Sequence, residues 1–261
     1  MRLDHHPQFD QPANETQKTY IVFSSGRTGS TWLALGLYKL GLGVPLEYFN
    51  RTQCKGFAAR LDVAEGFHDE RDLAHYIQEI LPIRTTRNGV FGASIHIHQW
   101  LNLFQKNIHN LTKHARIDWL IQTLQNSFPN PHFIFLYRED LLMQAISMNI
   151  ARQTDAWSST LNELREPQYN YQSIKKTLAT IVYGVGVCKY FQKQIKAPKL
   201  EFLYEDLEQD YDHIIGQILQ MLDINIEFES GLSSKTINKQ RTNRNQQWKQ
   251  RFLQEHKKRE G

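Results

Sequence analysis

Thr19-Tyr-Ile-Val-Phe-Ser24, followed directly by Ser25-Gly26-Arg27-Thr28-Gly29-Ser30-Thr31, is the most informative segment for the fold. The first five residues are β-branched or aromatic, as expected of a buried strand. The next seven are mostly small and polar, which is typical of a tight loop. Beyond them, apolar residues recur at helical spacing from Trp32 to Leu40. The stretch therefore predicts a strand, a loop and a helix in succession.

The same alternation continues along the chain. Further strands are predicted at Val90–Ile97, His132–Tyr137 and Glu201–Tyr204. Helical patterns lie near residues 70–81, 116–127, 140–152 and 171–196, the last interrupted by Gly184 and Gly186, which weaken a helix. Strands that alternate with helices predict an α/β fold: a single P-loop-like domain with a central, mostly parallel sheet flanked by helices. We assign this domain to residues 19–261 and predict that the polar arm of residues 1–18 is disordered.

Composition narrows the class of protein. The 261 residues include 31 Lys and Arg against 27 Asp and Glu, a net charge of +4 that is too small to indicate a nucleic-acid partner. Nine of the basic residues fall between residues 235 and 261, where a solvated helix face is the plainest interpretation. Cys54 and Cys188 lack the spacing of a disulfide framework or zinc site. With no apolar run long enough to span a membrane, we expect a cytoplasmic protein.

The loop between residues 24 and 31 has the position of an anion-binding loop. A strand hands over to a helix there, and the free backbone N–H groups and helix dipole favour a phosphate. A Walker loop carries lysine after its last glycine, whereas Ser30 follows Gly29 here. Arg27 supplies a cation from inside the loop instead. The loop therefore predicts a phosphate site that differs from that of a nucleotide triphosphatase.

Several motifs occur in an order that resembles a known family. They are Arg27-Thr-Gly-Ser-Thr31, Leu46-Glu47-Tyr48-Phe49, Val90-Phe91-Gly92, Tyr137-Arg138-x-Asp140, Gln144-Ala145-Ile146-Ser147, Gln153-Thr154-x-x-Trp157, Lys239-Gln240 and Arg244-x-x-x-Trp248. This set is similar to the sulfotransferases that use 3′-phosphoadenosine 5′-phosphosulfate (PAPS), and closest to the bacterial family typified by trehalose 2-sulfotransferase. Two positions depart from that pattern: Ser94 stands where relatives carry lysine, and Gly26 replaces a larger polar residue.

The resemblance implies a role for each matching residue. It implies that Ser25 to Thr31 hold the 5′-phosphosulfate, that Arg138 and Ser147 hold the 3′-phosphate, and that Gln240 and Arg244 fold over the nucleotide. It also implies that Glu47 is the catalytic base and that Arg27 stabilises the leaving phosphate. The apolar sequence neighbours of Glu47 predict a raised proton affinity. A sugar acceptor and a homodimer follow from the family as expectations.

Two other classes of function remain open at this point. A kinase-like phosphotransferase of the same fold predicts magnesium and ATP dependence. A non-catalytic nucleotide-binding or nucleic-acid-binding module, suggested by the basic C-terminal residues, predicts steeply salt-dependent binding to nucleic acid and no effect of replacing Glu47. His96 and His98 alternate onto one strand face, but no third ligand lies near them in sequence, so we assign them to packing or the substrate side and expect no metal site.

Overall fold

The central sheet has four parallel strands in the order β2-β1-β3-β4. A computed structural model describes residues 3–103, 112–157, 163–228 and 243–260. The strands are β1 Lys18–Ser24, β2 Val90–His96, β3 Pro131–Tyr137 and β4 Lys199–Leu203. The predicted α/β class with a parallel sheet is confirmed. Strand β4 begins two residues earlier than predicted, and it ends one residue earlier because Tyr204 starts a helix.

Helices cover both faces of this sheet. In chain order they are α1 Ser30–Lys39, α2 Arg51–Ala58, α3 Glu70–Arg84, α4 Ile97–Asn102, α5 Lys113–Asn126, α6 Leu141–Thr154, α7 Tyr171–Gln194, α8 Tyr204–Gln209, α9 Tyr211–Met221 and α10 Asn243–Glu260. None of the helices in the described part of the chain is long and apolar enough to cross a membrane.

The alternating side chains of β1 divide the core into two layers. Ile21 and Phe23 pack on one face of the sheet, while Tyr20 and Val22 pack on the other. Such alternation, with both faces apolar, is the pattern of a strand buried inside a parallel sheet. Burial on both sides fixes β1 and therefore fixes the start of the loop that follows it.

Helix α7 runs unbroken through its two glycines. A Cβ at Gly184 would lie 3.4 Å from the Ile97 side chain, so the missing side chain allows close packing against α4. Packing of this kind outweighs the roughly 1 kcal/mol cost of glycine in a helix. The weakness predicted from the sequence did not interrupt the helix.

The N-terminal arm packs against the rest of the chain in the structure. A short 3-10 turn spans Pro7–Phe9, and Leu3 and Phe9 are buried in the larger core layer. The fully buried Arg84 donates hydrogen bonds to the backbone carbonyls of Asp4 and His6. The partners of this polar segment lie far away in the sequence, so composition alone does not predict its contacts.

Candidate functional site

The strand order places two loops at one crevice. The chain leaves β1 toward β2 and later leaves β3 toward β4 on the opposite side, so the carboxyl ends of β1 and β3 flank the point where the winding reverses. Ligands of open α/β sheets bind at such switch points. The loop after β1 carries Arg27, and Arg138 directly follows β3.

The first loop has an unusual backbone. Gly26, Arg27 and Gly29 all have positive φ angles, of 83°, 59° and 82°. Left-handed residues in a short loop point successive N–H groups inward and form an anion-binding concavity. The loop ends at Ser30, the first residue of the ten-residue helix α1, whose N-terminus adds its dipole.

A buried hydroxyl group in this loop is also suited to binding an anion. Thr28 has 0% of its surface exposed, and its hydroxyl finds no hydrogen-bond partner within the described ranges. Buried polar atoms are nearly always hydrogen-bonded, so such an atom indicates a ligand oxygen as its partner. The donor set of the loop therefore fits a phosphate-bearing ligand.

Arg27 and Arg138 lie next to each other. Arg138, which is 7% exposed, donates a hydrogen bond from Nη1 to the backbone carbonyl of Arg27 (3.3 Å). Burial, and then the charge of Arg138, lowers the pKa of Arg27 to about 10. Arg27 in turn donates from Nε to the hydroxyl of Ser147 (3.0 Å) and from Nη1 to the carbonyl of Trp157 (2.5 Å). The residues predicted for the 5′ and 3′ ends of the nucleotide thus form one cluster.

Aromatic and carboxylate groups hold Arg138 in place. Its guanidinium lies 4.6 Å from the centre of the Tyr204 ring, and its Nε lies 3.9 Å from a Glu205 oxygen. The Tyr204 ring also packs on the first loop, because a Cβ at Gly29 would lie 2.8 Å from it. One tyrosine therefore supports both arginine-bearing loops.

Glu47 reaches the crevice through an isolated parallel bridge between Leu46 and Ala93. The N–H of Ser94 donates to the Leu46 carbonyl (2.9 Å), which aligns the segment with β2. His96, at the end of β2, then lies 3.1 Å from Glu47 Oε1 through its Nε2 atom. The other ring nitrogen of His96, Nδ1, is 2.9 Å from the hydroxyl of Ser24, which its strand register places alongside. A continuous chain of contacts thus joins the carboxylate to the phosphate loop.

The raised proton affinity predicted for Glu47 is wrong. Burial does raise its pKa, but the charge and hydrogen bond of His96 and the hydrogen bonds from Gln99 and Asn50 outweigh it and lower the pKa to about 2. The Gln99 amide donates at 2.8 Å and the Asn50 amide at 3.3 Å, both to Oε2. The apolar neighbours in sequence misled, because in space the carboxylate is surrounded by donors.

A pocket adjoins this carboxylate. It has a volume of about 110 Å³ and is lined by Leu3, Thr31, Ala34, Leu35, Pro45, Leu46, Glu47, Asn50, Gln53, Ser94 and Trp157. Ser94, one of the two departures from the family pattern, contributes a short side chain where lysine would intrude. The pocket lies between the candidate base and the first turn of α1.

The C-terminal segment is only partly described. Gln240 lies outside the described residues, so its role in binding the nucleotide stays a prediction. Arg244, at the start of α10, pairs with Glu163 at 2.7 Å. Lys249 of the same helix pairs with Asp140 (2.6 Å), which caps α6 two residues after Arg138. Helix α10 is therefore anchored beside the second arginine loop.

Sequence reasoning missed several members of the site. The sequence predicts packing or a substrate-side position for His96 but not its contact with the carboxylate, and no motif singles out Gln99 or Asn50. Gln144 was noted only as part of a motif, yet its amide donates to the Ser25 hydroxyl (3.0 Å) and the Gly26 carbonyl (2.5 Å). The available signal is that Ser24 and His96 are polar residues at or near the carboxyl ends of two predicted strands.

Fold and site together define an α/β protein with an anion-binding loop that lacks the Walker lysine. The family model described as Stf0 sulphotransferase matches residues 19–255, and the chain belongs to that family. This confirms the family inferred from the motifs and makes the protein a sulfotransferase.

Comparisons with individual proteins are more distant. The chain is similar to a sulfotransferase domain from the curacin biosynthetic pathway, at 14% identity and a TM-score of 0.46, covering 92% of this chain and 99% of that one. It is also similar to a sulfotransferase domain from the Synechococcus PCC 7002 olefin synthase, at 13% identity and a TM-score of 0.41, covering 87% and 84%. No curated protein matches the chain.

Proposed function

We propose that this sulfotransferase moves the sulfuryl group of PAPS to a hydroxyl group of a carbohydrate or glycoconjugate. The observation that carries the proposal is the meeting of two arginines, from two parallel strand ends, beside a carboxylate that lines a pocket. The arginines suit an anionic nucleotide, and the carboxylate suits an acceptor with a proton to lose.

The nucleotide is held by residues of both loops. The N–H groups of the first loop, the Thr28 hydroxyl and Arg27 bind the 5′-phosphosulfate, while Arg138 and Ser147 bind the 3′-phosphate. Ser147 exchanges its contact with Arg27 for the phosphate on binding. Arg244 and Gln240 close over the nucleotide from the C-terminal segment. When bound, PAPS supplies the sulfuryl group and departs as adenosine 3′,5′-bisphosphate.

Glu47 receives the acceptor proton. Its carboxylate is ionised at neutral pH, and His96, Gln99 and Asn50 fix its orientation. Correct orientation of a reacting group supplies much of the rate enhancement of a two-substrate reaction. On the opposite side, Arg27 stabilises the negative charge that grows on the leaving phosphate.

The acceptor enters the pocket that Glu47 lines. Asn50, Gln53 and the exposed ring of Trp157 provide amide groups and an aromatic face, which suit a sugar. The pocket is small, so one sugar ring at most enters it.

The proposal includes the homodimer expected from the family, which sedimentation measurements test.

The decisive experiment supplies sulfur-labelled PAPS and a panel of sugars, glycosides and simple alcohols, and identifies the products by mass spectrometry. Label transfer to a sugar hydroxyl without ATP supports the proposal. Turnover of ATP in place of PAPS would contradict it and favour the kinase alternative. Binding of the nucleotide with no turnover of any acceptor would favour the non-catalytic module.

A further inference from the structure

One buried arginine, Arg84, binds the N-terminal arm through hydrogen bonds and an ion pair. Arg84 has 0% of its surface exposed and donates to the backbone carbonyls of Asp4 (3.0 Å) and His6 (3.1 Å). It also pairs with the carboxylate of Asp10 at 3.0 Å and lies 5.0 Å from the centre of the Phe57 ring. A buried charge is costly unless it is paired, so this arginine requires the arm to be in place.

Helix α2 is shaped to receive the same segment. Arg60, just beyond its end, donates to the His5 carbonyl and pairs with the Asp10 carboxylate. A Cβ at Gly56 would lie 2.2 Å from the His5 ring, so only glycine leaves room for that ring. The ring nitrogen Nδ1 of His5 lies 3.2 Å from Oε1 of Gln53. The arm thus packs closely against α2, at a site whose residues match its shape and polar groups.

This packing against α2 places Leu3 in the wall of the pocket beside Glu47. Leu3 is 8% exposed and forms part of the pocket wall. The segment that begins α2 links the two: the Asn50 side chain donates to Glu47, and Gln53 of the next turn contacts the arm through His5. The arm and the carboxylate therefore border one volume and share one support.

We propose that Leu3, held by this arm, is a specificity-determining residue for the acceptor. Its side chain forms a wall of the acceptor pocket and limits the size of the group that carries the reacting hydroxyl. The inference rests on the proposed function, since it takes the pocket at Glu47 as the acceptor site. The proposed nucleotide contacts come from the loops after β1 and β3, from Ser147 and from the C-terminal segment, and they do not include Leu3.

The test compares two substitutions of Leu3 in the full chain. Leu3→Trp fills the pocket, so kcat/KM for the best acceptor should fall at least about tenfold, a change typical of steric misfit in a pocket. Leu3→Ala enlarges the pocket, so the ratio of kcat/KM for disaccharide over monosaccharide acceptors should rise about tenfold. The affinity for adenosine 3′,5′-bisphosphate should stay within about twofold in both variants, because the nucleotide contacts are untouched.

A matched control separates the pocket wall from the stability of the arm. Phe9 belongs to the same arm, is buried against Tyr38 with ring centroids 6.0 Å apart, and is outside the set of described residues that line the pocket. Phe9→Leu should lower the free energy of unfolding about as much as Leu3→Ala while leaving Leu3 in the pocket wall, and should therefore preserve the acceptor ratio of the parent. An equal change of ratio in Phe9→Leu would overturn the role of Leu3.

Failure of this inference is distinguishable from failure of the proposed function. A parent chain that sulfates an acceptor, combined with Leu3→Trp and Leu3→Ala variants that keep the parent's acceptor profile, would overturn the inference alone. A parent chain that transfers label from PAPS to no acceptor would overturn the proposed function and this inference with it. Should Leu3→Trp fail to fold, the acceptor ratio of Leu3→Ala still decides the question.

Discussion

The carboxylate side of the site, formed by Glu47, Asn50, His96 and Gln99, differs in design from the arginine side, formed by Arg27, Arg138 and Ser147. Both oxygens of Glu47 have donors close by, and the pKa of the carboxyl group is lowered to about 2. On the arginine side, two cations lie together, and the pKa of Arg27 is lowered to about 10 by burial and by its neighbour.

The carboxylate side presents one anion held by several donors, whereas the arginine side presents two cations side by side. The carboxylate has its charge compensated by the protein itself. Two adjacent guanidinium groups repel each other, and an anion between them relieves that repulsion. We therefore expect substitutions on the carboxylate side to change the rate, and substitutions on the arginine side to change the affinity for nucleotide.

The largest expected effect is on turnover. Glu47→Ala should lower kcat at least about a hundredfold, the size expected when a general base is lost. Nucleotide affinity, measured by calorimetry, should be nearly unchanged. Glu47→Gln keeps the size of the side chain and serves as the matched variant, which should lose as much activity. Unchanged turnover in both variants would remove Glu47 from the mechanism.

The next largest effect is on binding. Arg138→Ala should weaken the binding of adenosine 3′,5′-bisphosphate by about 1.5 to 3 kcal/mol, the scale of a charge-assisted contact. The affinity for adenosine 5′-phosphate, which lacks the 3′-phosphate, should change much less and is the internal control. Equal losses for the two nucleotides would refute the assignment of Arg138 to the 3′ end.

A smaller effect concerns the pH dependence of turnover. His96 holds the pKa of Glu47 below its ordinary value of 4.5. Without the electrostatic interaction and hydrogen bond of His96 the pKa of Glu47 rises. Since only the ionised carboxylate accepts a proton, the acid limb of the kcat profile should move to higher pH in His96→Gln. We expect the loss of turnover at neutral pH to remain below about tenfold.

His98 provides the control for this measurement. Its ring stacks on that of His96, with centroids 5.8 Å apart, and His98→Gln leaves the hydrogen bonds of Glu47 intact. The acid limb should therefore stay in place in this variant. A limb that moves equally in both variants would show that His96 does not act through Glu47.

The smallest effect tests the support shared by the two arginine loops. Gly29→Ala and Gly41→Ala both place alanine at a positive φ, 82° and 71°, which costs about 1 to 2 kcal/mol in unfolding free energy. Only at Gly29 does the added Cβ also meet the Tyr204 ring, at 2.8 Å, whereas Gly41 has open space. Gly29→Ala should therefore be the less stable and, unlike Gly41→Ala, bind nucleotide more weakly. Equal thermal melts and affinities would contradict this role of Tyr204.

Local patterns predicted the framework of the fold. The alternation of strand and helix patterns, and the loop at residues 24–31, placed β1, β2, β3 and α1 correctly because these elements are long, apolar and strongly periodic. The end of β4 was misplaced because Tyr204 is as compatible with a strand as with the first turn of a helix.

The carboxylate environment could not be predicted in the same way. Glu47 meets His96 through a single bridge between Leu46 and Ala93, and no periodicity in the sequence encodes one bridge. The seating of the arm on Arg84 depends likewise on contacts between residues far apart in the chain. Such contacts reverse the expected direction of the Glu47 pKa.

The central position of β1 has a consequence for folding kinetics. Its neighbours in the sheet come from much later in the sequence, as the contact between Ser24 and His96, 72 residues apart, illustrates. Chains dominated by such non-local pairings fold slowly, because long loops must close before the pairing is rewarded. Recovery of nucleotide binding after dilution from denaturant should therefore coincide with the final, slow phase of refolding rather than precede it.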